Sequence, residues 1–151
     1  MKINDTKLYL YSTIVTFVVA LILGAVSYYS ILKVEPESER LINAQDNFSD
    51  SYRKAYAMLR DPQIFARYEN FDRESRWIKT TVIPYMDNKI YNSREFTPDE
   101  KVYLEALLNR RKQGSILGRN TMAFFLLVSA LGLGFYFYER RKVKLEEEPT
   151  A

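Results

Sequence analysis

The chain has 151 residues, room for one domain plus membrane segments, and a net charge of only +3 from 22 basic and 19 acidic side chains. So small a surplus offers no basic face for nucleic acid, and no nucleic-acid partner is expected. Cysteine and histidine are both absent, which excludes disulfides, thiolate catalysis, thiolate or imidazole metal sites and His-ligated haem.

Charge is distributed unevenly. After a short tail, residues 1–7, the stretch LYLYSTIVTFVVALILGAVSYYSIL runs from Leu8 to Leu32 without a charged side chain. As a helix it would reach about 37 Å, enough to cross a hydrocarbon core of about 30 Å with some tilt. Tyr9 and Tyr11 at its start, with Tyr28 and Tyr29 near its end, stand where interfacial aromatic belts belong. Ala25 and Ser27 have the spacing of a signal-peptidase site, but the apolar run continues through YYSIL and exceeds a signal-peptide core. An uncleaved anchor is therefore expected. Within this span Ser12, Thr16, Ala20 and Gly24 recur every fourth position, which lays small residues along one side of a helix. Such ridges let helix backbones approach closely in lipid.

Residues 33–115 hold 15 basic and 14 acidic side chains. Leu41, Phe48, Tyr52, Ala55 and Leu59 fall at helical spacing and predict one amphipathic helix, with Pro36 in its first turn and Asp61-Pro62 ending it. That helix is also expected to connect back to the span through a kink at Pro36. Ile64, Tyr68, Phe71, Ile78 and Val82 predict a second helix stopped before Pro84, and YMDNKIYNSREF reads as a turn region. A third helix has the clearest signature: Thr97 as N-cap, Pro98 in the first turn, Glu100 completing a capping box, and Gly114 as its C-terminal glycine. The domain's 11 aromatics, Trp77 and Tyr103 among them, are expected to fill a thin helical core.

A second span is expected over residues 116–138, its charge-free part running from Asn120 to Tyr138. Ala130 and Gly134 repeat the four-residue small interval. A tail over residues 139–151 follows. Lys and Arg near the spans divide six to six: Lys2, Lys7, Arg140, Arg141, Lys142 and Lys144 in the tails, against Lys33, Arg40, Arg110, Arg111, Lys112 and Arg119 at the loop ends. Loop length breaks the tie, because connections longer than about 60 residues translocate largely regardless of charge. Both termini are thus expected in the cytoplasm and the loop outside, in a plasma membrane of the bacterial inner-membrane type.

The fold class expected is an all-α membrane protein, two transmembrane helices bracketing a small helical extramembrane domain. No catalytic, cofactor or metal site is expected. Asp72 with Glu74, and Asp99 with Glu100, are too close in sequence to converge on one helix face. Glu35, Glu37 and Glu39 read as a solvated acidic turn rather than a cation site. Neither span carries Asp, Glu, Lys or Arg between its ends, which argues against a proton or ion path. The expected function is that of a non-catalytic accessory or scaffold subunit of a larger membrane assembly. Its partners would be the bilayer and other membrane proteins or further copies of itself, docked through Ser12, Thr16, Ala20, Gly24, Ala130 and Gly134. The alternatives are a two-span sensor with a separate cytoplasmic output partner, and a small homo-oligomeric channel.

Overall fold

The computed structural model describes residues 5–68 and 72–147, with side chains described over 7–68 and 72–143. Phe71, expected in the second stripe, lies outside the described residues, as do Lys2 and the side chain of Lys144. Every regular element among the described residues is helical. In chain order they are α1 (Asp5–Tyr29), a π turn (Ser30–Val34), α2 (Glu35–Ile42), α3 (Phe48–Leu59), α4 (Arg73–Trp77), a second π turn (Ile78–Val82), α5 (Ile83–Tyr91), a short 3-10 turn (Pro98–Glu100) and α6 (Lys101–Glu147). Two stretches, Lys7–Ile42 and Pro98–Val143, are long and apolar enough to cross a membrane. The chain divides into two compact units, Met1–Ala25 with Arg119–Ala151, and Val26–Gly118.

Both π turns end two residues before a proline. The Glu35 N–H bonds the Ser30 carbonyl, and the Ile83 N–H bonds the Ile78 carbonyl, each one residue further back than in an α-helix. A helical proline clashes with the carbonyl four positions earlier. For Pro36 and Pro84 those carbonyls belong to Leu32 and Thr80, inside the widened turns. The wider turn makes room for the ring, so neither proline ends its helix. Pro36 thus joins α2 to α1 as expected, whereas Pro84 does not stop the second helix. Residues 85–91, expected as turn, are helical, and only 92–97 leave the helix.

Three further expectations are corrected. The first amphipathic helix is broken over residues 43–47, a run that is polar apart from Ala44, and Asn47 adopts the left-handed conformation (φ 54°) that Asn tolerates. The second stripe begins outside any helix: Ile64 is half exposed in an irregular segment, and α4 starts only at Arg73, where the Asp72 carboxylate caps it by accepting from the Ser75 N–H at 2.7 Å. Gly114 ends nothing, because α6 continues through it to Glu147 with no glycine at positive φ. A Cβ on Gly114 would lie 2.6 Å from the Ala66 Cβ and 2.8 Å from its backbone N, so the glycine lets the segment after α3 lie against α6.

The core of the larger unit follows the stripes where they survive. Leu41 and Ile42 of α2, Tyr52, Ala55, Tyr56 and Leu59 of α3, Ile78 and Val82 of the second π turn, Met86 of α5, and Leu104 and Leu107 of α6 are buried together. Trp77 and Tyr103 are partly buried against this cluster, with ring centroids 5.8 Å apart.

Candidate functional site

In the smaller unit, part of the small-residue ridge of α1 faces α6. Thr16 Oγ1 and Ser129 Oγ lie 2.8 Å apart. Each hydroxyl has one proton, so one donates across the seam while the other donates to its own helix. Thr16 can turn to the Ser12 carbonyl at 2.9 Å, and Ser129 to the Phe125 carbonyl at 2.8 Å. Ala20 is fully buried. At Gly24 an added Cβ would come within 2.6 Å of Met122 Sδ. At Gly132 it would come within 2.3 Å of Thr13 Oγ1, an oxygen that is buried without a conventional hydrogen-bond partner. The missing side chain at Gly132 thus lets Thr13 come close to α6. Tyr9 stacks on Phe135 at 5.8 Å near one end of the same seam.

Of the six positions singled out in sequence, Thr16, Ala20 and Gly24 meet α6 of their own chain. Ser12 is exposed and contributes only its carbonyl. Ala130 and Gly134 are exposed on α6, and nothing lies within 4 Å of a Cβ built on Gly134. The seam residues that sequence did not single out are Thr13, Met122, Ser129 and Gly132. Ser129 and Gly132 are three apart, an interval that also marks one helix face, but a search at four-residue spacing passes over it.

Three clusters of hydrogen-bonded polar side chains lie in the larger unit. Glu35, expected in a solvated turn, is buried (9% exposed) where the π turn rotates it inward. Its Oε1 accepts from the Ser30 hydroxyl at 3.1 Å and from the Ser115 hydroxyl of α6, and Ser115 in turn accepts from Gln63 Nε2. Arg111 closes the cluster, donating to Ser30 Oγ at 2.9 Å and to the Met58 and Asp61 carbonyls at 3.1 Å. Burial holds its guanidinium below the ordinary arginine range. Glu37 and Glu39 remain outside, paired with Arg40 and Lys112.

Glu100 is the second buried carboxylate, 2% exposed. It completes the expected capping box with Thr97 and also takes the Lys89 ammonium and, at 2.8 Å, the Tyr85 hydroxyl. Burial pushes this carboxyl up, but the Lys89 ammonium, the Thr97 N–H and the Tyr85 hydroxyl pull it down further, to about 2. In the third cluster Asp87 accepts from Tyr56 at 2.9 Å and from both Nε and Nη2 of Arg60. The Arg60 guanidinium holds the Asp87 carboxyl below its usual range. No cluster of three metal-ligating side chains occurs among the described residues.

No family model, curated protein or solved structure matches the chain.

Proposed function

We propose that the chain is a non-catalytic membrane subunit with two spans, both termini in the cytoplasm and a helical domain outside, serving as an accessory or scaffold component of a larger assembly. Membrane insertion is supported by the outward faces of α1 and α6. Val15, Leu21 and Ile22 on one, with Leu127, Leu131 and Phe135 on the other, are each about half exposed or more, and hydrocarbon is the environment that suits them. The scaffold role rests chiefly on the fate of the buried carboxylates. Glu35 and Glu100 are each satisfied by two or more donors from their own domain. Groups held this way fix the geometry of a domain and leave no acid or base free for substrate.

The test is purification of the tagged full chain in mild detergent after carbonate extraction of membranes. Retention in the extracted membrane, with stoichiometric heterologous membrane proteins that survive size exclusion, is the expected result. Release by carbonate would overturn the membrane reading. A homo-oligomer with no other subunit would favour the channel, and recovery of a cytoplasmic signalling protein the sensor.

A further inference from the structure

We infer that the outward face of α6 near its basic end is a binding site for one anionic phospholipid. Ala130 and Gly134 are one helical turn apart, and Arg141 stands seven residues beyond Gly134 on the same face. A shallow, wide-open depression of about 370 Å³ lies between Ala130, Leu131, Gly134, Phe135 and Tyr138. A second of about 510 Å³ continues it along Gly134, Phe137, Tyr138 and Arg141. The face is thus an apolar trough with a guanidinium at one end.

Length argues for a lipid rather than a helix as occupant. From Ala130 to Arg141 the trough runs about 16 Å, the depth of one leaflet in a hydrocarbon core of about 30 Å. One turn deeper Leu127, 66% exposed, closes the face, so the trough does not continue across the whole span as a helix-docking groove would. Charge argues the same way. Arg140, Arg141 and Lys142 are exposed, and Arg141 has no carboxylate within ion-pair distance among the described residues. A phosphodiester satisfies a guanidinium there, whereas a second copy inserted in the same orientation would set Arg141 against its own counterpart. Clusters of basic residues beside a span attract anionic headgroups by about 1 kcal/mol per residue, equivalent to about fivefold in binding.

This inference rests on the membrane insertion proposed above, and the experiment separates the two. The full chain is reconstituted in phosphatidylcholine vesicles carrying a trace of photoactivatable lipid, either phosphatidylglycerol or phosphatidylcholine with the same acyl chains. Carbonate extraction is run on the same samples. The expected result is several-fold more crosslinking to phosphatidylglycerol, with the crosslinked peptide spanning residues 130–141. Arg141→Gln should lower that preference by about fivefold. Gly134→Leu, which fills the trough, should lower it as well, while Ala123→Leu, two turns below the trough, should leave it unchanged. Carbonate-resistant protein that crosslinks both lipids equally would overturn the site and leave the membrane reading standing. Crosslinking between two copies through residues 130–141 would overturn it in favour of a dimer face, and carbonate release would remove the basis for both readings.

Discussion

Replacing Gly114 by alanine isolates what this glycine does, because two effects of opposite sign meet there. Alanine is the better helix former by about 1 kcal/mol, and Gly114 lies inside a 47-residue helix, so propensity alone predicts stabilisation. Packing opposes it. The new methyl would sit 2.6 Å from the Ala66 Cβ, 2.8 Å from its N and 3.0 Å from its Cα. These atoms cannot rotate away as a long side chain would. The segment that carries them is pinned, since the Ala66 N–H bonds the Gln63 carbonyl at 2.9 Å and Gln63 itself donates to the Arg111 carbonyl at 2.9 Å. Overpacking costs about 1–3 kcal/mol, and contact with fixed backbone places this site at the upper end. The net expectation is a loss of about 2 kcal/mol. Trp77, the chain's single tryptophan, packs against the core of the same unit and reports its unfolding, so urea titration in mild detergent followed by Trp77 emission measures the difference. Gly118→Ala is the control. There the closest atom is the Ser27 hydroxyl, at 2.2 Å, which can turn about its Cα–Cβ bond, so the loss should stay under about 1 kcal/mol. A Gly114→Ala variant as stable as the parent, or more so, would refute the reasoning and show that propensity outweighs the contact with Ala66.

Glu100 should make the larger unit acid-sensitive: its folded carboxyl titrates at about 2 against an ordinary 4.5, so its contribution is complete above pH 4.5 and is lost as pH falls towards 2. Glu100→Gln should flatten the stability profile across that window, and an unchanged profile would mean that the Lys89 pair carries no weight. The chain lacks cysteine, so Ser93→Cys gives a single probe on the exposed turn of the domain. An impermeant maleimide is expected to label it in intact cells, and labelling only after lysis would reverse the proposed topology. A Thr16→Cys, Ser129→Cys pair should oxidise within one chain, since the native oxygens are 2.8 Å apart. Adding Gly24→Leu should slow that oxidation several-fold by driving Met122 away, and crosslinking only between chains would contradict the seam.

What could be read from the sequence was whatever depends on a residue and its near neighbours. Charge-free runs identified the two long apolar helices, the Thr97–Glu100 pair identified a helix start, and periodicity placed Leu41, Tyr52, Ala55, Leu59, Ile78 and Val82 in the core. Misread were features that carry no local mark or that depend on a partner distant in sequence. Pro84 looks like a stop because the π turn that accommodates it has no sequence mark of its own. Gly114 looks like a C-cap until Ala66 is brought against it. Glu35 looks solvated because its acceptor role depends on Ser115, 80 residues away. On the spans, four-residue spacing found the α1 ridge but not its counterpart, since a seam is complementary and Ser129 and Gly132 answer to Thr16 and Thr13 rather than to a repeat within α6.

The five glycines carry this distinction furthest. All lie within helices, where each costs about 1 kcal/mol relative to alanine. At Gly24, Gly114, Gly118 and Gly132 the chain itself accounts for that cost, because in each case an atom within 3 Å occupies the place of the missing Cβ. Gly134 has no such neighbour, and intrachain packing gives no reason for it. The space beside Gly134 is open on the exposed face of α6. That space adjoins a guanidinium and ends within the depth of one leaflet, which ties the unexplained glycine to the anionic lipid proposed for this face.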